Sequence, residues 1–261
     1  MDKFIDINSD LGESFGSFKV GNDEEVLKHI SSANIACGFH AGDHNVIHKT
    51  VQLSARYNVG IGAHPGLPDL LGFGRRWMDV STEEVYNMVV YQVNAVKGFA
   101  QLYQQKLQHV KPHGALFNKA SKDKEIACAI ARAVRDTDPN LILYGLSSSE
   151  LIIEGEKIGL QVANEVFADR TYQPDGTLTP RSDPNAIIHD PKKAMAQVLQ
   201  MIKDGSVTAV DGSVIPIQAD TICVHGDEPQ AVLFVKQLKK ILNDNAITVK
   251  KPGGVRYDER F

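Results

Sequence analysis

The sequence predicts an α/β chain built on a parallel sheet, and three observations carry that prediction. Short β-type runs alternate with amphipathic helical runs along the chain, as parallel strands require, because each parallel connection needs a crossover. Gly, Asp or Ser punctuates most of the junctions, marking turns and helix starts. Ionisable residues follow nearly every strand candidate, at the end where parallel sheets, closed into a barrel or doubly wound, build their sites.

The elements follow in order. Strand candidates are Phe4 to Ile7, Ser32 to Ala36, Val59 to Ala63, His109 to Lys111, Leu141 to Tyr144, Gln161 to Val166 and Thr221 to Val224, seven in all. The helices expected after them run over Asp23 to Ile30, Asn45 to Tyr57, Thr82 to Gln105, Asp123 to Asp136, Ser149 to Ile158, Pro191 to Lys203 and Pro229 to Asn243. Ser81 with Glu84 three residues later is a capping box, each side chain satisfying an orphan backbone N–H. Val85, Met88, Val89, Gln92, Val93 and Val96 then place one stripe on the third helix, which should pack on a sheet. Asp227 followed by Pro229 is a second start signal. Two stretches break the alternation. The polar loop over 169–190 is longer than most connections, and Asp211-Gly212 within 207–217 is a hairpin signal. No repeat or linker divides the chain, so one domain over 1–261 is expected, decorated by that hairpin and that loop.

Composition narrows the function. With 261 residues, 43% hydrophobic and 23% charged, the chain can bury a sizeable core and is not of the disordered class. A net charge of −4 without a basic stripe points away from nucleic acid and from anionic membranes. Three separated cysteines, Cys37, Cys128 and Cys223, with no C-x-x-C, fit a reducing compartment. The first residues carry no apolar signal core, and no apolar run reaches spanning length, so a soluble, cytoplasmic protein is expected.

The chemistry lies after the strands: Asp6 to Asp10, Cys37 to Asp43 with His40, His64-Pro65-Gly66, Lys111-Pro112-His113-Gly114, Glu165 with Asp169-Arg170, and His225-Gly226-Asp227. Alternation puts Asp6, Asn8 and Asp10 on one side of the first strand, the lumen side if the sheet closes. His40 and His113 stand among glycines and small residues, and Lys111 ends an apolar strand, an unusual place for an unpaired lysine. Asp43 and Asp227 precede helices and can equally be N-caps. Three strings fail their motifs. His44 and His48 have helical metal spacing, but Asn45 replaces the general-base Glu. Gly12 to Gly16 matches G-x-S-x-G, yet Ser14 lies beyond the strand and precedes no helix. Gly60-Ile61-Gly62 lacks a third glycine, and there is no Walker A string.

The strings DINSDLGESFG, ANIACGFHAGD, GIGAHPGLPDLLGFGRR, HVKPHGALFN, NEVFADRTY and ICVHGDEP together resemble the LamB/YcsF family, from about Phe4 to Leu242. The resemblance implies a (β/α) barrel of seven strands, similar to glycoside hydrolase and deacetylase barrels. It implies a component of an ATP-dependent enzyme that opens the lactam of 5-oxo-L-proline to L-glutamate, working with 5-oxoprolinase subunits B and C, with ATP and Mg2+ in the full complex. Asp10, Lys111, His113, Glu165 and Asp169 are then the expected catalytic positions, with Asp10 or His113 as base and Lys111 as electrostatic stabiliser. Asn8, His40, Asp43, His64, Arg170, Arg181, His225 and Asp227 are the expected substrate positions, Arg170 or Arg181 clamping a carboxylate. Should a metal be bound, Asp10, His40, His64 and His225 would hold it. The alternatives are a stand-alone metal-dependent amidase or deacetylase, and a non-catalytic substrate-binding component. Ser9, His44 and Phe117 stand where the family commonly has Cys, Pro and Tyr, which argues against an obligatory thiol at position 9.

Overall fold

The structure, a computed structural model, describes residues 3–224 and 231–252, with Ala231 as backbone only. The elements are β1 (Lys3–Leu11), α1 (Asp23–Leu27), β2 (Ser32–Ala36), α2 (His44–Arg56), β3 (Gly60–His64), α3 (Thr82–Leu102), β4 (Leu107–Val110), α4 (Gly114–Ala120) and α5 (Lys124–Thr137). Then come β5 (Ile142–Leu146), α6 (Glu150–Lys157), β6 (Gln161–Phe167), α7 (Pro191–Asp204), β7 (Ser206–Thr208), β8 (Val214–Pro216), β9 (Thr221–Cys223), α8 (Ala231–Asp244) and β10 (Ile247–Val249). Strands β1 to β6 pair in sequence order, all parallel, and β9 closes the ring by pairing with both β6 and β1. A seven-stranded parallel barrel results, and its closure decides between the two sheet forms that alternation alone permits.

Helices cover the outside. The α3 stripe is buried at Val85, Val89, Gln92, Val93, Val96 and Ala100, the expected Ser81–Glu84 capping box is formed, and α3 packs on α5 and β3. Gln92 is the polar member of that stripe: its amide accepts from Gly66 N at 2.9 Å and donates to Gly66 O at 3.0 Å. A helix of the outer layer thereby holds the loop after β3, where the site begins. The hairpin over β7 and β8 is antiparallel, with Val207 opposite Ile215.

The lumen is polar. At one end Asp6, 1% exposed, accepts hydrogen bonds from Ser31, Ser32, Thr221 and Tyr144. Above it Asn34 donates to Asn8 and Asp10, and His109 shares a hydrogen bond of 2.7 Å with Asn34. Gly62 is required in this layer, because a Cβ there would lie 2.0 Å from His109 Nε2.

The sequence reading and the structure differ in a few places. β1 runs to Leu11 rather than stopping at Ile7, because its inward polar residues pair with the polar lumen and keep the strand going. α4 and β10 were not expected. α4 has seven residues, starts at Gly114 with φ +55° and lacks a side-chain cap, so it carries no start signal. β10 has three residues and pairs only with the start of β1. The expected helix start at Asp227 and Pro229 lies outside the described residues. No helix among the described residues is long and apolar enough to cross a membrane.

Candidate functional site

The carboxyl ends of the strands open into a cavity of ≈ 510 Å3, with Asp10, Glu13, His64, Lys111, His113 and Phe167 in its wall. β1 brings Asp10, β3 ends in His64, and Lys111 and His113 follow β4. Arg75, Lys122, Arg170 and Arg181 also line it, so its walls carry several cationic side chains. The long loop after β6 supplies Thr177 to Ser182 as one wall.

Lys111 is the centre of the floor. Its Nζ lies 2.9 Å from Asp10 Oδ1, 2.8 Å from Glu165 Oε1 and 3.1 Å from Cys223 Sγ, and donates to Asn8 Oδ1 at 3.4 Å. Burial opposes its charge, but Asp10, Cys223 and Glu165 hold its pKa well above the ordinary lysine value. Burial also works against Asp10, yet the His64 and Lys111 charges bring its pKa well below the usual carboxylate range. Glu165, with no exposure, is pushed up by burial, partly offset by Lys111. The buried lysine is thus a fixed cation between two carboxylates, stable because both partners are in place.

Next to it lies a histidine cluster. His64 Nε2 is 3.2 Å from Asp10 Oδ2 and 2.9 Å from His113 Nδ1. The other nitrogen of each ring meets a backbone carbonyl at 2.7 Å, His64 Nδ1 at Lys111 O and His113 Nε2 at Phe73 O. His40, wholly buried, stacks on His113 with centroids 3.7 Å apart and planes 2° apart. Burial, reinforced by neighbouring imidazoles, drives the pKa of His113 down to about 3 and that of His40 well below its ordinary value. Both rings are therefore neutral near pH 7. The backbone makes room for them: a Cβ on Gly74 (φ +61°) would lie 2.7 Å from His40 Cβ and 2.9 Å from His113 Cδ2. The loop carrying Gly74 is stapled by an ion pair between Asp69 and Arg76.

The expected positions divide into three groups. Asp10, His64, Lys111, His113, Arg170 and Arg181 line the cavity, while Asn8 and Glu165 lie beneath it against Lys111 and His40 lies behind His113. His225 and Asp227 lie outside the described residues. Two expectations are corrected by position. Asp43 does not line the cavity; its Oδ1 accepts from Asn45 N and Val46 N and its Oδ2 from Gly16 N, so it is a helix cap. Asp169 does not line it either, and stands where the long loop leaves the barrel, its carbonyl accepting from Ile188 N. Arg170 is also redirected. Its Nε donates to Ala186 O and its Nη2 to Thr179 O, so it ties the long loop down, leaving Arg181 the better placed of the two for a substrate carboxylate.

Glu13, Arg75 and Cys223 were missed. Glu13 Oε1 is 4.0 Å from both His40 Nε2 and His113 Nδ1. The available signal was its place just after the first strand, in the string read only for Ser14. Ser14 instead bonds Val20, and His48 bonds Tyr103, so neither rejected motif gathers partners. Among the described residues, Glu13, His40, His64 and His113 each offer one ligand atom within 4.8 Å of the others, while His225 of the expected metal set lies outside them.

A closed parallel barrel gathers a buried cation, carboxylates and imidazoles at its carboxyl-end mouth, the end where barrels of this architecture build their sites. The chain belongs to the LamB/YcsF family, whose sequence profile matches residues 5–256. It is 62% identical over 247 residues to the A-subunit of 5-oxoprolinase from Halalkalibacterium halodurans, covering 95% of this chain and 96% of that protein. To the corresponding A-subunit from Bacillus subtilis it is 56% identical, covering 94% and 95%. A solved lactam utilization protein from Thermus thermophilus superposes with a TM-score of 0.89 at 44% identity, covering 95% of this chain and 99% of that one. A putative cellobiose-phosphate cleavage protein from Enterococcus faecalis, at 14% identity and a TM-score of 0.56 over 96% and 98%, shares the fold alone.

Proposed function

We propose that this chain is the lactam-opening component of an ATP-dependent 5-oxoprolinase, converting 5-oxo-L-proline to L-glutamate together with subunits B and C in the cytoplasm. The observation that carries the proposal is the buried Lys111 held between Asp10 and Glu165 beside the His64–His113 pair, at the floor of a cavity with a cationic rim. The names of the relatives support the substrate class and the assembly.

In this reading Arg181 meets the substrate carboxylate, and Lys111 faces the oxygen on which negative charge develops when the lactam carbonyl is attacked. Asp10, which faces the cavity beside Lys111 and His64, receives the proton of the attacking water. The carbon–nitrogen bond of the ring breaks as its nitrogen takes up the proton drawn from the water, so that the nitrogen leaves as the α-amine of glutamate and the water oxygen stays in the new carboxylate. The sequence carries no Walker A string, so ATP with Mg2+ is assigned to the partners, and no step through the nucleotide is placed on this chain.

The test measures 5-oxoproline-dependent ATP hydrolysis and glutamate formation by this chain alone, by B and C alone, and by all three. Ring opening should need the full set. Glutamate formation by the isolated chain without ATP overturns the proposal in favour of an autonomous amidase. Full turnover by B and C without this chain reduces it to a binding component or less.

A further inference from the structure

We infer that Glu13, His40, His64 and His113 form a binding site for one zinc-type divalent transition-metal ion in the wall of the cavity. Hydrogen positions carry the inference. A carbonyl oxygen only accepts, so His64 Nδ1 and His113 Nε2, each 2.7 Å from one, must both carry their protons there. The remaining nitrogens, His64 Nε2 and His113 Nδ1, then face each other across 2.9 Å, so that at most one of them can hold a proton between them. Asp10 Oδ2, a further acceptor, lies 3.2 Å from His64 Nε2. Ring nitrogens and a carboxylate converge here, the donor set that a divalent transition-metal ion takes.

Two independent observations agree. His40 is fully buried, and neither of its ring nitrogens has a hydrogen-bond partner; native proteins rarely leave such groups unmet. Glu13 brings a carboxylate oxygen to 4.0 Å from both His40 Nε2 and His113 Nδ1. The outer contacts of His64 and His113 are also those of metal ligands, which donate their far N–H to a backbone carbonyl or carboxylate and so fix the ring. Imidazole nitrogens with a single carboxylate suit zinc and its neighbours. Calcium and magnesium, which take oxygen ligands, are not served by this set. The His40 ring must tilt off His113 to direct a nitrogen at the same ion, since stacked rings aim their lone pairs along parallel lines. Gly66 leaves room on that side, where a Cβ would lie 2.5 Å from His40 Nδ1.

The inference does not depend on the substrate, and its readout is metal content rather than turnover. The full chain is stripped with a chelator, titrated with zinc chloride by calorimetry, and assayed for metal after gel filtration. Cobalt(II) is loaded in parallel for its visible spectrum. About one zinc per chain, and the intense cobalt absorption of a four-coordinate site with nitrogen ligands, are expected. His64→Asn and His113→Asn should each weaken zinc binding at least about 100-fold, with circular dichroism confirming the fold. His48→Asn, on the exposed face of α2, should leave the stoichiometry unchanged. Should either cluster variant fail to fold, Glu13→Gln takes its place. No zinc retained by the wild-type chain overturns the inference, as does zinc retained undiminished by the folded cluster variants, or lost only with His48→Asn.

Discussion

Asp6 and Asp10 lie four residues apart on the same inward face of β1, and their surroundings make them opposites. Asp6 accepts from four hydroxyl groups, Ser31, Ser32, Thr221 and Tyr144, at the closed end of the lumen. It is buried, and burial raises its pKa despite those bonds. Asp10 faces the cavity, 16% exposed, among Asn34, Lys111 and His64, where opposite charges lower its pKa against burial. One end of the barrel satisfies its polar groups with hydroxyls and is sealed. The other is held by charges and leaves imidazole nitrogens unmet. Satisfied polar groups specify a core, whereas unmet ones beside a cavity mark chemistry.

The largest test of this contrast is Lys111→Ala. Removing the cation leaves Asp10 and Glu165 buried without their partner, which should cost about 3–5 kcal/mol of stability, read by urea unfolding. In the assembled enzyme, ring opening should fall by roughly 10²–10³ for the loss of the electrostatic stabiliser. Full turnover by a folded Lys111→Ala protein would remove Lys111 from the mechanism. Asp10→Asn comes next, with turnover expected to fall by about 10²–10⁴ while the protein stays folded. If the fold collapses instead and turnover per folded molecule is unchanged, Asp10 is structural like Asp6.

Asp6→Asn should show the reverse. An amide in the ring of hydroxyls disturbs a buried, fully bonded acceptor at a cost of about 1–3 kcal/mol, with turnover preserved. The pH dependence has a definite sign. The folded pKa of Asp6 lies above its ordinary value, so its protonated form stabilises the fold below the unfolded pKa, and that contribution is lost as pH rises through the folded pKa. Asparagine does not titrate. The stability deficit of Asp6→Asn should therefore shrink as the pH is raised from about 4 towards 7, and a deficit that grows over that range would contradict the assignment.

Much of this contrast was legible in the sequence, for a physical reason. A strand alternates its side chains, so Asp6, Asn8 and Asp10 had to share a side, and histidines set among glycines stood apart from apolar core positions. Closure was not legible, because it rests on β1 pairing with β9, Asp6 beside Thr221, and periodicity carries no information across such a separation. Glu13 was missed because it follows Gly12, whose φ of +71° ends the strand and its alternation. The hold of Arg170 on the long loop was not legible, because its partners are the backbone carbonyls of Thr179 and Ala186, which every sequence possesses and no pattern announces. The expected metal set includes His225, which lies outside the described residues, and it passed over His113, whose Nδ1 reaches His64 only through the turn after β4.

The smallest predicted effect concerns Asp43, which shares the carboxyl-end loops with Asp10 but not its chemistry. Its Oδ1 satisfies two of the orphan N–H groups that open α2, at 2.9 Å each, and its Oδ2 receives Gly16 N at 2.8 Å. The Gly16 bond, foremost among these, lowers its pKa. Asp43→Ala should cost about 1 kcal/mol, the usual worth of a cap, and Asp43→Asn less, since the amide oxygen can still accept from the helix. Because the folded pKa lies below the unfolded one, the wild-type advantage should be present above the ordinary carboxylate range and fade as pH falls through the folded pKa. Turnover of the assembled enzyme should be unchanged in both variants, measured at saturating substrate. A folded Asp43→Ala protein with turnover reduced as far as in Asp10→Asn would move this carboxylate into the active site and erase the distinction between a capping acid and a reacting one.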